Sequence, residues 1–186
     1  VTDARTVVAL AGRRIDAPNA AEPRFPASQV NSVRDRIRSF LAASRAVALV
    51  ASAACGADLI ALQLAAEAKL RRRIVLPFDA VRFRETSVVD RGEEWGEIFD
   101  AVLRSIPQSD LIVLGLTEDE DAYTRTNVAI LDHAQLLAGP GRDVRALVVW
   151  NGVPRGPDDI TAQFASTARA RNLVVSEVLT VPARPA

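Results

Sequence analysis

The 186-residue chain has one cysteine, Cys55, one histidine, His133, and no methionine. A single cysteine excludes an intramolecular disulfide, and one residue of each kind excludes a Cys/His zinc cluster, so any metal would have to be held by carboxylates. The lone thiol fits a reducing, cytoplasmic setting. Excess charge is missing too, since 23 basic residues balance 23 acidic ones. That balance removes the overall positive field that holds a nucleic acid backbone non-specifically, though not a local basic patch. No apolar run approaches the roughly 18 residues of a membrane-spanning helix, and the first residues lack the charged-then-apolar order of a signal peptide. The expectation is a chain without membrane association. Because the sequence opens on Val1 and carries no methionine, it is expected to have lost at least its initiator or to be a segment of a longer protein.

What the sequence does have is a repeated alternation. Short β-branched runs at Thr6–Gly12, Ala46–Ser52, Arg73–Phe78, Asp110–Gly115, Ala146–Asn151 and Leu173–Val181 read as strands. Between most of them lie segments of helical spacing: Gln29–Ala43, Ala57–Leu70, Glu94–Ile106, Ala122–Leu137 and Asp158–Arg171. The first of these places Val30, Val33, Ile37 and Leu41 on one face, with Ser28 as its expected N-cap. Strands alternating with helices define an α/β class, a Rossmann-like, doubly wound, mainly parallel sheet with helices on both faces. The expected organisation is one ligand-binding domain over residues 1–181, followed by a frayed tail at 182–186.

In such sheets ligands bind outside the carboxyl ends of the strands, which makes the loops there the place to search. After the first run comes "AGRRIDAPNAAEPRFP", where Gly12 permits close backbone approach and Arg13, Arg14 and Arg24 can reach an anion. After the second comes "SAACGAD", Ser52 to Asp58, ending at a helix start whose free N–H groups suit a phosphate or carboxylate. Neither segment is a G-x-G-x-x-G fingerprint or a P-loop, and a lone glycine at Gly56 is equally common in purely structural turns. Asp58 would repel a nearby phosphate; it suits a ribose hydroxyl, or serves simply as a favourable charge in a first helical turn. Beyond the third run, Phe78, Phe83 and Trp95 stand among Arg82 and Arg84, either as a stacking surface for a base or as anchors of a loop on the core. Beyond the fourth, Glu118 to Asp121 read as a solvated helix start, while Tyr123 and Asn127 share a face beside Thr126 and can hydrogen-bond a sugar or base. His133 lies too deep in that helix to be a mouth residue.

The segments "VVALAGRRID…RFP", "VASAACGADLIALQLA", "RIVLPFDAVRFRETSV…W" and "YTRTNVAILDHA" together resemble the SLOG superfamily, Rossmann-like domains related to DNA-processing protein A and the cytokinin-activating phosphoribohydrolases. The resemblance spans roughly residues 7–134 and is most specific at "SAACGAD". It implies a nucleotide or nucleotide-derived ligand, a sensor role beside an effector domain, and the possibility of pairing with a second copy. It carries over Gly12 and Arg13 after the first strand and Ser52, Ala54, Gly56 and Asp58 at the second. The phosphoribohydrolase motif P-G-G-x-G-T-x-x-E is absent, and Gln63 stands one turn after Asp58 where an acid is expected; an amide cannot act as general acid or base.

The leading expectation is therefore a binding module without catalytic residues, metal or cofactor. Its ligand-binding set is Gly12, Arg13, Arg14, Ser52, Ala54, Gly56, Asp58, Tyr123 and Asn127. The alternative is hydrolysis of a nucleotide N-glycosidic bond, with Asp58, Glu118 and Glu120 as candidate carboxylates. A third class, single-stranded nucleic acid binding, would need Arg13, Arg14, Arg24, Arg34, Arg36 and Arg38 to converge.

Overall fold

A computed structural model describes residues 5–182. Six strands, β1 (Thr6–Gly12), β2 (Ala46–Ala51), β3 (Arg71–Leu76), β4 (Leu111–Val113), β5 (Asp143–Trp150) and β6 (Val174–Leu179), form one sheet in the order β4-β3-β2-β1-β5-β6. Every neighbouring pair is parallel. Parallel neighbours require crossovers, and six helices supply the cover: α1 (Val30–Ala43), α2 (Ala57–Glu67), α3 (Ala80–Ser87), α4 (Glu93–Arg104), α5 (Ala122–Ala138) and α6 (Ile160–Ala170). No helix among the described residues is long and apolar enough to cross a membrane. The expected tail lies, apart from Pro182, outside the described residues.

The side-chain alternation of β1 shows how the two faces are filled. Val8 and Leu10 join Leu49, Ile74, Leu147 and Val149 in one core with α1, α2 and α4, while Val7, Ala9 and Ala11 join Val50, Val75 and Val148 in a second core with α5 and α6. Small residues at Ala9, Ala11, Ala48 and Ala146 let α5 lie close on the second face. The chain winds outward from β1 to the edge strand β4, then returns through α5 to place β5 on the other side of β1. The strand order reverses there, opening a crevice at the carboxyl ends.

Three local expectations change. The stretch after β3, expected as a loop, folds into α3, which Asp79 caps by accepting the Arg82 N–H at 3.0 Å. Ser28 does not cap α1, because it lies within a 3-10 turn (Ala27–Gln29) that puts Gln29 in the cap position with no side-chain bond. The fourth strand shrinks to Leu111–Val113: at its start Asp110 lies in a preceding 3-10 turn and is held by Arg71 and Arg73, and beyond its end Gly115 turns the chain at φ +65°.

Candidate functional site

The carboxyl end of β1 and the loop after β2 open onto a cavity of about 210 Å³. From the sequence-derived set, Gly12, Arg14, Ser52, Ala54, Asp58, Tyr123 and Asn127 line it, together with Thr126. Leu10, Phe83, Ile130 and Ile160 supply apolar wall. Residues from five separate segments thus converge on one space, as the parallel topology requires.

Two expected residues lie elsewhere, each for a clear reason. Arg13 is only 5% exposed. It gives its Nη1 and Nη2 to Asp159 at 2.9 and 2.6 Å, its Nε to Asn151 at 3.2 Å and a further Nη2 bond to the Val153 carbonyl at 3.0 Å. Its guanidinium also lies 5.9 Å from the Trp150 ring centroid. Arg13 is a clasp between the ends of β1 and β5. Gly56 has φ +96°, and a Cβ there would meet the Ile15 nitrogen at 2.6 Å and the Arg13 oxygen at 2.9 Å. The Ala57 N–H at the start of α2 donates to that same Arg13 carbonyl at 3.1 Å. The glycine therefore serves the crossing of the β1–α1 loop over the helix start, and that loop satisfies one of the free amides.

Asp58 is the acidic residue of the lining and is 6% exposed. Burial pushes its carboxyl up to about 7, against the Ala54 N–H that it accepts at 3.2 Å and the charge of Arg14. A carboxyl poised there can donate a hydrogen bond when neutral and accept when ionised. Arg14 pairs with Asp90 and places its Nε 3.4 Å from the Cys55 sulfur, and burial raises the Cys55 thiol. Tyr123 and Ser87 share a hydroxyl–hydroxyl bond of 2.9 Å joining α5 to α3. Asn127 Nδ2 donates to the Ile160 carbonyl at 3.0 Å, which leaves its oxygen as an acceptor. Thr126 is spent on the Ala122 carbonyl at 2.7 Å.

Phe83 and Trp95 are buried, and the Phe83 ring contacts Phe78 and Phe99, so these aromatics are core anchors, with Phe83 also facing the cavity. Glu118 pairs with Arg82 on the surface, and neither Glu118 nor Glu120 lines the cavity. Gln63 accepts from Arg34 at 3.0 Å in the contact between α1 and α2. Arg34 and Arg38 both pair with Glu67, while Arg36 donates to the Leu179 carbonyl at 2.6 Å. His133 is half-buried and away from the cavity. The lining residues not anticipated are Leu10, Ala11, Ile130, Arg155, Ile160 and Thr161, and Ser87 joins them from the end of α3. Arg155 and Ile160 follow β5, and the rule about carboxyl ends applies to that loop as it does to the others.

Fold and crevice define a Rossmann-like, doubly wound α/β domain. A scan against protein-family models gives no match, and a search of curated proteins gives none either.

Proposed function

We propose that the domain binds a nucleotide or nucleotide-derived small molecule in this cavity and acts as a ligand-sensing module. The observation that carries the reading is the convergence of Gly12, Arg14, Ser52, Asp58, Tyr123 and Asn127 around one apolar-walled space at the carboxyl ends. Apolar walls suit a ring; Asp58 and Asn127 offer donors and acceptors for a sugar or base edge. The SLOG resemblance supports the same ligand class, and with it a second copy or an effector as partner.

The test is a thermal-shift and calorimetry panel of nucleosides, nucleotides and cyclic nucleotides on the wild type and Asn127→Ala. Stabilisation of the wild type, weakened by roughly tenfold in affinity in the variant, is expected. Equal binding by both would remove the ligand from this cavity. A second reading, N-glycosidic hydrolysis, is favoured by one observation: Asp58, poised near neutrality, borders the space where a ring would lie. Intact ligand after long incubation, by mass analysis, would count against it, as would cleavage that survives in Asp58→Asn.

A further inference from the structure

A second concavity, of about 310 Å³, adjoins the first and shares Gly12, Arg14, Arg155, Ile160 and Thr161 with it. Its character is different. Arg14, Arg24, Arg91 and Arg155 line it, with the Arg13 clasp behind them. Asp90 is shared by Arg14 and Arg91, and Asp159 by Arg13 and Arg155, so each carboxylate faces two guanidinium groups. The two acids of the outer wall are already engaged. Asp16 accepts the Arg24 and Phe25 N–H groups at 2.8 Å each, and Glu22 pairs with Arg24. Arg91 has a buried Nε with no hydrogen-bond partner. Arg155 is half exposed and reaches Asp159 only at 3.7 Å, a carboxylate already saturated by Arg13 and by the N–H groups of Arg155, Thr161 and Ala162.

We propose that this outer groove is a phosphate subsite, with Arg14, Arg91 and Arg155 as its ligands. The occupant of the pair of cavities is then a two-part molecule whose ring portion lies inside and whose phosphate chain lies outside. Five arginines face the four carboxylates of Asp16, Glu22, Asp90 and Asp159 here, a surplus of positive charge, and the donors that Arg14, Arg91 and Arg155 leave uncommitted come from three segments; planar forks bind phosphate oxygens well. Asp58 lines the inner cavity and not this groove. The phosphate assignment stands on the groove alone; the connection to a ring rests on the nucleotide reading of the inner cavity.

The probes are inorganic pyrophosphate, adenosine and adenosine diphosphate, titrated at low ionic strength into the wild type, Arg155→Ala, Arg91→Ala/Arg155→Ala and a surface control, Arg82→Ala. Pyrophosphate is expected to bind the wild type and Arg82→Ala alike, to weaken about tenfold in Arg155→Ala, and to weaken about 100-fold in the double variant. The diphosphate should exceed adenosine in affinity by a similar factor, and that advantage should vanish in the double variant. Equal pyrophosphate binding by the double variant and the control would overturn the proposal, and so would a failure to bind at millimolar concentration. If pyrophosphate binds as described but neither adenosine nor its diphosphate does, the subsite stands and the nucleotide reading falls.

Discussion

At the amino end of the sheet, Asp110 accepts from both Arg71 and Arg73; at the carboxyl end, Asp159 is shared by Arg13 and Arg155, and Asp90 by Arg14 and Arg91. The ratio of charges is the same in all three places. Around Asp110, however, the acid and Arg73 are buried, and each arginine spends Nε and an Nη on the carboxylate, whose pKa the Arg71 and Arg73 hydrogen bonds hold down against burial. Around Asp159 only Arg13 is fully spent, with both Nη groups on the carboxylate and Nε on Asn151, while Arg155 stands half exposed at a groove. On the proposal made for the outer groove, an arginine-rich cluster serves as a structural fastener or as a binding surface according to how many of its donors are already committed. Composition does not distinguish the two.

The sharpest way to break this comparison is to remove one partner from a pair of each kind. Asp159→Ala leaves Arg13 buried without its partner and is expected to cost about 3–5 kcal/mol in denaturant unfolding, whereas Arg14→Ala, whose pair is partly exposed, should cost less than about 1 kcal/mol. If the two cost the same, the distinction between clasp and site fails. Asp159 is held at about 2: burial opposes its ionisation, and the Arg13 hydrogen bonds and backbone N–H groups outweigh burial. Its contribution is present above the unfolded carboxylate range near pH 4 and is lost as pH falls towards 2.

Asp58 has the opposite sign. Its raised pKa means that the folded state keeps a proton that the unfolded chain releases above about pH 4, so stability falls as pH climbs to about 7 and then levels. Asp58→Asn should flatten that slope and gain on the order of 3–4 kcal/mol over the wild type at pH 8. Parallel stability–pH profiles for the two proteins would show that the carboxyl is not desolvated. A smaller loss, about 1–3 kcal/mol, is expected for Gly56→Ala, where positive φ and the crossing backbone leave no room for a Cβ; an unchanged melting temperature would count against that crossing.

The sequence was legible where one periodicity governs one element. β1 begins and ends where its β-branched run does, and α2 opens at Ala57 as the apolar spacing indicates. α3 escaped because eight residues with Val81 exposed and Phe83 and Ser87 buried make no stripe; its one signal was Asp79 as a cap. Among site residues, those fixed by strand ends and helix faces, from Gly12 to Asn127, reach the cavity. Arg13 could not be separated from Arg14 by reading, because what separates them is Asp159, 146 residues away. Gly56 likewise looks the same in sequence whether a ligand or the chain's own loop passes over it.

The clasp has a kinetic side. Arg13 joins the β1 and β5 ends across the point where strand order reverses, and Asp159 locks that joint into the start of α6. A crevice with its walls tied in this way has its shape before anything arrives, so entry needs no prior rearrangement of those two loops. For the proposed ligand, association with such a mouth is expected to follow the encounter rate, rising in proportion to ligand concentration with one exponential phase, and differences between ligands are expected in how long they stay.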